Sequence, residues 1–321
     1  MSHQLCFFLK ASQSPTHYNL CRYLQEQNWL LTFHENADFS DENLQFDANT
    51  ALQLEYKHLL TQLVSKNCPA VMPLSYCIND ENWSRILAQL ALTPNPSCWI
   101  LKPSLLNNGQ YIKIFQNLVD LNAHFLSSKR LGGEHVLQSY LRPHLLRDRR
   151  KYSIRMLVIT TNYTGNYIYP HGYYNVALHP YDERNFSDLR SHLTNEHLQN
   201  DEANVLQIPT QRFTEFSAIY PQIKAIVTAV IKGLKVENPK AFQSNKKKTL
   251  AIFGFDFMVD SSGRLWLLEA NHGPCFPLVD THPLQRYLYA DFWKSLIENF
   301  IRPLALDQPK NTFQNQSFEL I

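Results

Sequence analysis

The sequence predicts a mixed α/β (α+β) fold, and two observations carry that prediction. Apolar segments with strand-like alternation are interspersed with segments of helical spacing along most of the 321 residues. The apolar content of 44% is high enough for a chain of this length to bury a substantial core. The length allows one large domain or two to three smaller ones.

The N-terminal segment predicts a β-α-β unit, which is typical of a small α/β domain. Residues 4–10 (QLCFFLK) and 29–35 (WLLTFHE) are predicted strands. Residues 14–27 (SPTHYNLCRYLQEQ) begin with Ser-Pro and have helical spacing. A second helix is predicted over 50–66, and residues 69–78 (PAVMPLSYCI) are predicted to be a linker to a new unit.

The next unit alternates again between helices and strands. A helix is predicted from Trp83, and another lies near Leu118–Leu126. Strands are predicted at 98–104 (CWILKPS), 111–115 (YIKIF) and 135–141 (HVLQSYL). The sequence therefore predicts a second α/β domain here.

The C-terminal half is dominated by two long predicted strands at 151–161 and 166–178. A polar segment over 184–204 follows, and its length indicates a functional loop. Two further helices and a hairpin complete this half, and the polar residues 307–321 are predicted to be frayed.

Composition argues against several classes of partner. A net charge of +2 gives no electrostatic reason to expect nucleic-acid binding. No apolar run approaches the roughly 18 residues of a membrane span, and the N-terminus lacks the pattern of a signal peptide. Six cysteines without metal-like spacing are expected to be reduced thiols. A cytoplasmic protein without a membrane partner is expected.

Residues 253–271 predict a β-hairpin that carries polar groups inside apolar strands. Alternation places Glu269 and Asn271 on one face, together with Leu265 and Leu267. A two-residue loop would place Asp256 diagonal to Glu269, and a four-residue loop would place it directly opposite. A three-residue loop would place Asp256 and Glu269 on different faces of the hairpin.

The chemistry of this face predicts a cation site. Two buried carboxylates repel each other unless a cation lies between them. Oxygen ligands such as those of Asp256, Glu269 and Asn271 suit Mg²⁺, which takes further ligands from phosphates and water. The alternative is an edge hairpin whose carboxylates only face water. Lys102, a lone lysine on an apolar strand, fits a lysine that neutralises a phosphate.

These motifs occur in an order that resembles the tubulin–tyrosine ligase-like family, a branch of the ATP-grasp enzymes. The resemblance rests on QSYL (138–141), RKYSIR (150–155), HLTN (192–195) and the two strands of the hairpin. It implies an ATP-grasp fold, in which two α/β domains clamp ATP behind a small N-terminal domain. It also implies an ATP- and Mg²⁺-dependent ligase that joins an amino acid to a protein or peptide carboxylate through an acyl phosphate. Tubulin is one candidate acceptor.

The resemblance also divides the chain and assigns residues. Residues 1–70 would form the small N-terminal domain, 71–141 the central domain, 142–305 the C-terminal domain with the hairpin, and 306–321 a polar tail. Arg155 and Lys151 would face the phosphates and the reacting carboxyl group. The implied nucleotide contacts are Lys57, Lys102, Gln138, Tyr140, Leu141, Lys151, His192, Thr194 and Asn195, and the implied metal ligands are Asp256, Glu269 and Asn271.

Four positions depart from the family pattern. Asn108 and Ser139 replace lysines, Ser153 replaces an aspartate, and Asn175 replaces an arginine. These losses of charge keep two alternatives open. One is a catalytically weak ATP-binding module that recognises tubulin or another protein, and the other is an ATP-grasp enzyme that acts on a small molecule. The added amino acid, the acceptor and the oligomeric state do not follow from the sequence.

Overall fold

A computed structural model describes residues 3–33, 37–92, 96, 98–198, 203–243, 247–308 and 317–321. The helices have the bounds α1 Pro15–Glu26, α2 Ala48–Glu55, α3 Lys57–Asn67, α4 Trp83–Leu92, α5 Leu118–Phe125, α6 Phe216–Glu237, α7 Ala290–Leu296 and α8 Arg302–Ala305. The strands are β1 Cys6–Phe8, β2 Leu30–Leu31, β3 Phe39–Ser40, β4 Ser75–Ile78, β5 Trp99–Pro103, β6 Lys113–Phe115, β7 His135–Ser139, β8 Arg150–Thr161, β9 Asn166–Pro180, β10 Val205–Pro209, β11 Leu250–Val259, β12 Leu265–His272 and β13 Glu319–Leu320. This mixture confirms the predicted α/β class.

The predicted β-α-β opening is confirmed. Strands β2, β1 and β3 form a parallel sheet in that order, with Cys6 opposite Leu30. Helix α1 begins where predicted, because the hydroxyl of Ser14 accepts the His17 N–H at 3.3 Å and Pro15 occupies the first turn. The second strand covers only part of the predicted segment, of which residues 34 and 35 lie outside the described residues.

The single helix predicted over 50–66 is wrong, because the chain breaks at Tyr56. This residue has φ −79° and ψ 122°, which is an extended conformation between α2 and α3. The break makes Lys57 the first residue of α3, where its Nζ donates to the carbonyl of Leu106 at 2.7 Å.

The second sheet is antiparallel and has the order β4-β7-β5-β6. Its edge strand β4 lies inside the segment predicted to be a linker, so that prediction is wrong for Ser75–Ile78. Ser75 pairs with Gln138 and Ile78 with His135. Helices α4 and α5 cover one face of this sheet, where Trp83 stacks on Phe125 at a ring separation of 4.4 Å.

The third sheet is the largest and has the order β10-β9-β8-β11-β12, with β13 paired to β9. Strand β10 was not predicted and begins directly after the polar segment. The expectation of a frayed tail is wrong at its end, because Phe318 is only 4% exposed and Glu319 pairs with Ile168. The intervening residues 309–316 lie outside the described residues.

Two cores lie on opposite faces of the large sheet. Helix α6 and helices α2 and α3 pack against Ile154, Phe255 and their neighbours. The other core combines the N-terminal sheet with the C-terminal helical stretch, which also contains π-helical segments at Gln285–Tyr289 and Ile297–Ile301. The predicted division into domains stays a prediction.

Candidate active site

A deep cleft receives side chains from both the four-stranded and the six-stranded sheet. Its empty volume is about 1560 Å³ with its open mouth included. Every residue that the sequence singled out for ligand binding or catalysis lines this cleft. They are Lys57, Lys102, Gln138, Tyr140, Leu141, Lys151, Arg155, His192, Thr194, Asn195, Asp256, Glu269 and Asn271.

The hairpin places its polar groups together by a route that alternation alone does not predict. Val259 pairs with Leu265, so residues 260–264 form a five-residue loop, which has the wrong parity. A register shift between Asp256 and Phe257 restores it, and Asp256 lies directly opposite Glu269. This β-bulge turns Leu267 into the core, contrary to the predicted shared face with Glu269.

The two carboxylates and the amide form one compact donor set. The Nδ2 of Asn271 lies 3.3 Å from Oδ2 of Asp256 and 3.3 Å from Oε1 of Glu269. No group of three or more His, Cys, Asp or Glu side chains suited to a metal occurs in the described part of the chain. Two carboxylates and one amide fit Mg²⁺, because this ion completes its shell with water and phosphate oxygens.

Arg155 holds Asp256 through a two-pronged ion pair. Its Nε donates to Oδ1 of Asp256 at 2.7 Å, and a second guanidinium nitrogen donates to Oδ2. The two residues lie directly opposite each other on β8 and β11. Burial raises the pKa of Asp256, the Arg155 charge opposes that rise, and the Glu269 carboxylate adds to it.

Two buried lysines line the cleft together with the carboxylates. Lys102 is 8% exposed and donates to Oε1 of Gln138 at 2.8 Å, and burial lowers its pKa to about 8. Lys151 donates to the carbonyl of His192 at 2.6 Å, and burial lowers its pKa to about 7. Such lysines lack a full set of counter-charges, so an anionic ligand would favour their charged form.

An apolar wall stands beside these cations. Ile100, Ile112 and Leu193 form a small buried cluster against which Tyr140 packs. The hydroxyl of Tyr140 hydrogen-bonds Nδ1 of His192 at 2.8 Å, which ties β7's end to the polar segment. The cleft therefore combines an apolar surface with buried lysines, which suits a nucleotide base joined to phosphates.

Three of the four departures from the family pattern have a distinctive backbone conformation or strand register. Asn108 has a φ of 54°, a left-handed conformation that asparagine tolerates better than most residues do. Ser153 and Asn175 lie directly opposite each other on β8 and β9. Both side chains are neutral, so this facing pair carries no charge.

Sequence reasoning missed several residues of the cleft. Glu55, Glu196 and Gln207 all line it. Gln207 belongs to the unpredicted β10, where its Nε2 donates to Oδ1 of Asn175 at 3.1 Å. Glu196 directly follows the HLTN motif, so its position next to that motif was an available signal.

Gly172 on β9 allows the close approach of the strand that carries Arg155. A Cβ at this position would lie 2.1 Å from the carbonyl oxygen of Arg155. We expect Gly172→Ala to lower the free energy of unfolding by about 1 to 3 kcal/mol, because the backbones must separate. Thermal unfolding measures this, with Gly132→Ala as the control, since a Cβ there meets no atom within 4 Å. An unchanged melting temperature for Gly172→Ala would contradict the contact.

Comparison with known proteins gives a family match over residues 48–311, to the tubulin-tyrosine ligase family. Tubulin glycylase 3C of Tetrahymena thermophila is 29% identical over 205 residues, which cover 58% of this chain and 19% of that protein. A probable tubulin polyglutamylase of Mus musculus is 25% identical over 302 residues, 79% of this chain and 54% of that protein. A protein polyglycylase of Macaca fascicularis is 26% identical over 210 residues, 55% of this chain and 34% of that protein.

The chain spans between 19% and 54% of the length of these three relatives. Among the described helices, none has both the length and the apolar character needed to cross a bilayer. The mixed α/β architecture with several sheets is consistent with the ATP-grasp fold of the matched family. The match includes every residue that lines the cleft, and the chain belongs to the tubulin-tyrosine ligase family.

Proposed function

We propose that this chain is an ATP-dependent ligase that adds an amino acid to a carboxylate of a protein or peptide, with tubulin as a candidate acceptor. One observation carries the proposal: buried cations face a two-carboxylate, one-amide donor set across a single cleft. The relatives are named as a tubulin glycylase, a probable tubulin polyglutamylase and a protein polyglycylase, and these names support amino-acid transfer to a protein.

The nucleotide would occupy the end of the cleft that combines an apolar wall with lysines. The base would lie against Ile100 and Leu193, next to the end of β7. Lys102 and Lys151 would contact the phosphates, because they are buried cations that line the same cleft as that wall. Mg²⁺, held by Asp256, Glu269 and Asn271, would neutralise phosphate charge when bound.

The reaction would proceed in two steps. The acceptor carboxylate would attack the terminal phosphorus of ATP, which forms an acyl phosphate and releases ADP. The amino group would then attack the carbonyl carbon, so a C–N bond forms, the C–O bond to phosphate breaks, and phosphate leaves with one amine proton. Arg155 would stabilise the negative charge of the reacting group through its guanidinium.

We expect saturable binding of a non-hydrolysable ATP analogue in the presence of Mg²⁺, with a Kd in the millimolar range or tighter. Isothermal titration calorimetry measures it. Lys102 and Lys151 have pKa values of about 8 and about 7, so part of each population is neutral at pH 8. Phosphates favour the charged lysines, so binding should take up protons at pH 8 and weaken as the pH rises through 7 to 8.

A matched pair of variants sharpens that measurement. Lys102→Gln should weaken binding of the analogue about tenfold or more, because the hydrogen bond from a buried, charged lysine to a phosphate is lost. Lys66→Gln is the control, since Lys66 is exposed and pairs with Glu237 far from the cleft. Absence of saturable, Mg²⁺-dependent binding to the wild type would overturn the proposed nucleotide site.

Ligation itself is tested by mass spectrometry of candidate acceptors after incubation with ATP, Mg²⁺ and a mixture of amino acids. A mass increase equal to one or more amino-acid residues supports the proposal. A second candidate function, a weakly catalytic ATP-binding module, is favoured by the neutral pair Ser153 and Asn175. ATP binding without any mass increase, over acceptors that include tubulin, would favour that module.

A further inference from the structure

Glu196 lies on the wall of the cleft, in the polar segment that carries the HLTN motif. Its side chain is 44% exposed, and Oε1 lies 3.8 Å from Nε2 of His197. The segment is anchored on both sides of Glu196. Thr194 donates to Oγ of Ser153 at 2.9 Å, and the carbonyl of Glu196 accepts the N–H of Asn204 at 2.9 Å.

Glu196 and Arg155 have opposite charges and shift the pKa values of the same three side chains in opposite directions. Desolvation raises the pKa of the Cys275 thiol, Glu196 adds to that rise, and Arg155 opposes it. Burial likewise raises the pKa of Tyr173 and of Tyr289, with Arg155 lowering and Glu196 raising each. The two charges therefore act on the same three side chains, of which Cys275 lines the cleft together with Arg155 and Glu196, while Tyr173 and Tyr289 are buried.

The other carboxylates of the described cleft wall already have a lysine or arginine beside them. Asp256 is paired with Arg155, and Oε2 of Glu269 lies 3.8 Å from Nζ of Lys57. Glu55 also lies in the field of Lys57. Glu196 differs, because its ion-pair contact is a histidine rather than a lysine or an arginine.

A ligase of this type must bring together an anion and a cation. The acyl phosphate is negatively charged, and an amino acid enters with an ammonium group at neutral pH. An ammonium group is favoured beside a carboxylate. That carboxylate should lie near the acyl phosphate but apart from the lysines that bind phosphate. Glu196 is a carboxylate that lines the same cleft as Arg155, and its segment is held by hydrogen bonds to Ser153 and Asn204.

We propose that Glu196 is the residue that binds the ammonium group of the incoming amino acid and positions its nitrogen near the acyl phosphate. The ammonium group would lose one proton to solvent, which reaches this partly exposed side chain, before the neutral amine attacks. This inference rests on the proposed ligase function and deepens it. The ligand class is a primary amine carried as its ammonium form. Ser153 and Asn175 line the same cleft. Because both are neutral, they offer no cation that would compete with the ammonium group for the Glu196 carboxylate.

The test is a comparison of steady-state kinetics for wild type, Glu196→Gln and Glu196→Asp, with the amino acid that the wild type transfers. We expect Glu196→Gln to raise the KM for that amino acid about tenfold or more, since a charge-assisted hydrogen bond is lost. The KM for ATP should change by less than about twofold. Glu196→Asp, which keeps the charge, should fall between the two.

Glu183→Gln is the matched control, because Glu183 belongs to the same part of the chain, pairs with Arg142 and lies outside the cleft. A KM for the amino acid within about threefold of wild type in Glu196→Gln would overturn the role of Glu196 and leave the ligase function standing. A wild type that transfers no amino acid to any acceptor would overturn the ligase function and this inference with it.

Discussion

Glu269→Gln is expected to lower ligase turnover by about 100- to 1,000-fold, the range seen when one electrostatic stabiliser of a transition state is removed. The substitution keeps the shape of the side chain but removes one of the two negative charges that face Asn271 and the lysines. The proposed metal would then lose a charged ligand. Steady-state ligation, followed by mass spectrometry, measures the loss. Wild-type turnover in this variant would show that Glu269 is not a metal ligand.

The same substitution should also lower stability without ligand. Burial alone would raise the pKa of Glu269, but Lys57 and Lys102 outweigh it and lower the pKa from 4.5 to about 2. A lowered pKa in the folded state stabilises the fold above the ordinary pKa, and that contribution is lost as the pH falls towards 2. We therefore expect Glu269→Gln to cost roughly 2 kcal/mol at pH 7.

Repulsion from Asp256 alone predicts the opposite, a gain in stability when the charge is removed. The 3.8 Å contact with Lys57 decides between these effects, because a buried lysine would lose its counter-charge. Thermal unfolding at pH 7 and at pH 3 distinguishes them, since the cost should shrink at the lower pH. Glu183→Gln, at an exposed ion pair, is the control. A higher melting temperature for Glu269→Gln at pH 7 would contradict the lysine contact.

The hairpin shows both the reach and the limit of sequence reasoning. Alternation correctly brought Asp256, Glu269 and Asn271 to one cleft, because apolar and polar residues repeat with the period of a strand. It could not predict the bulge that corrects a five-residue loop. That bulge is stabilised by burial of Leu267 and Ala270 in a core formed by distant helices.

Other misses also depend on tertiary contacts. The break at Tyr56 separates two segments that each favour a helix, so local propensity does not reveal it. The tail is polar around Phe318, yet that ring packs near Tyr169, Phe292 and Phe300, which are far away in sequence. A short motif can therefore identify the residues of a site, whereas their mutual contacts follow from strand register.

The contact between Arg155 and Asp256 is an example with functional consequences. The sequence predicted that one would face phosphates and the other a metal, but it gave no sign that they pair. Register places them directly opposite each other on β8 and β11. A metal at Asp256 would compete with the guanidinium for the same oxygens, so metal binding and release of Arg155 towards the reacting group would be linked.

Arg155→Lys is expected to reduce ligation about 100-fold or more while affinity for the ATP analogue changes by less than about threefold. A guanidinium binds a carboxylate or phosphate through two parallel hydrogen bonds, whereas an ammonium acts as a point charge. On β9, Tyr173 pairs with Arg155 and Asn175 pairs with Ser153, and the strand contains no arginine that could replace the two-pronged contact. The nucleotide would still have Lys102 and Lys151.

Arg150→Lys provides the matched control for that variant. Arg150 lies on the same strand and pairs with Asp148 at 2.6 Å, outside the cleft. Calorimetry with the ATP analogue and steady-state ligation together separate binding from chemistry, and only the second should change in Arg155→Lys. If Arg155→Lys ligates as fast as wild type, the reacting carboxyl group must be held by another residue. The ion pair with Asp256 would then have a structural role, because a lysine at 155 can keep its charge but not its two-pronged geometry.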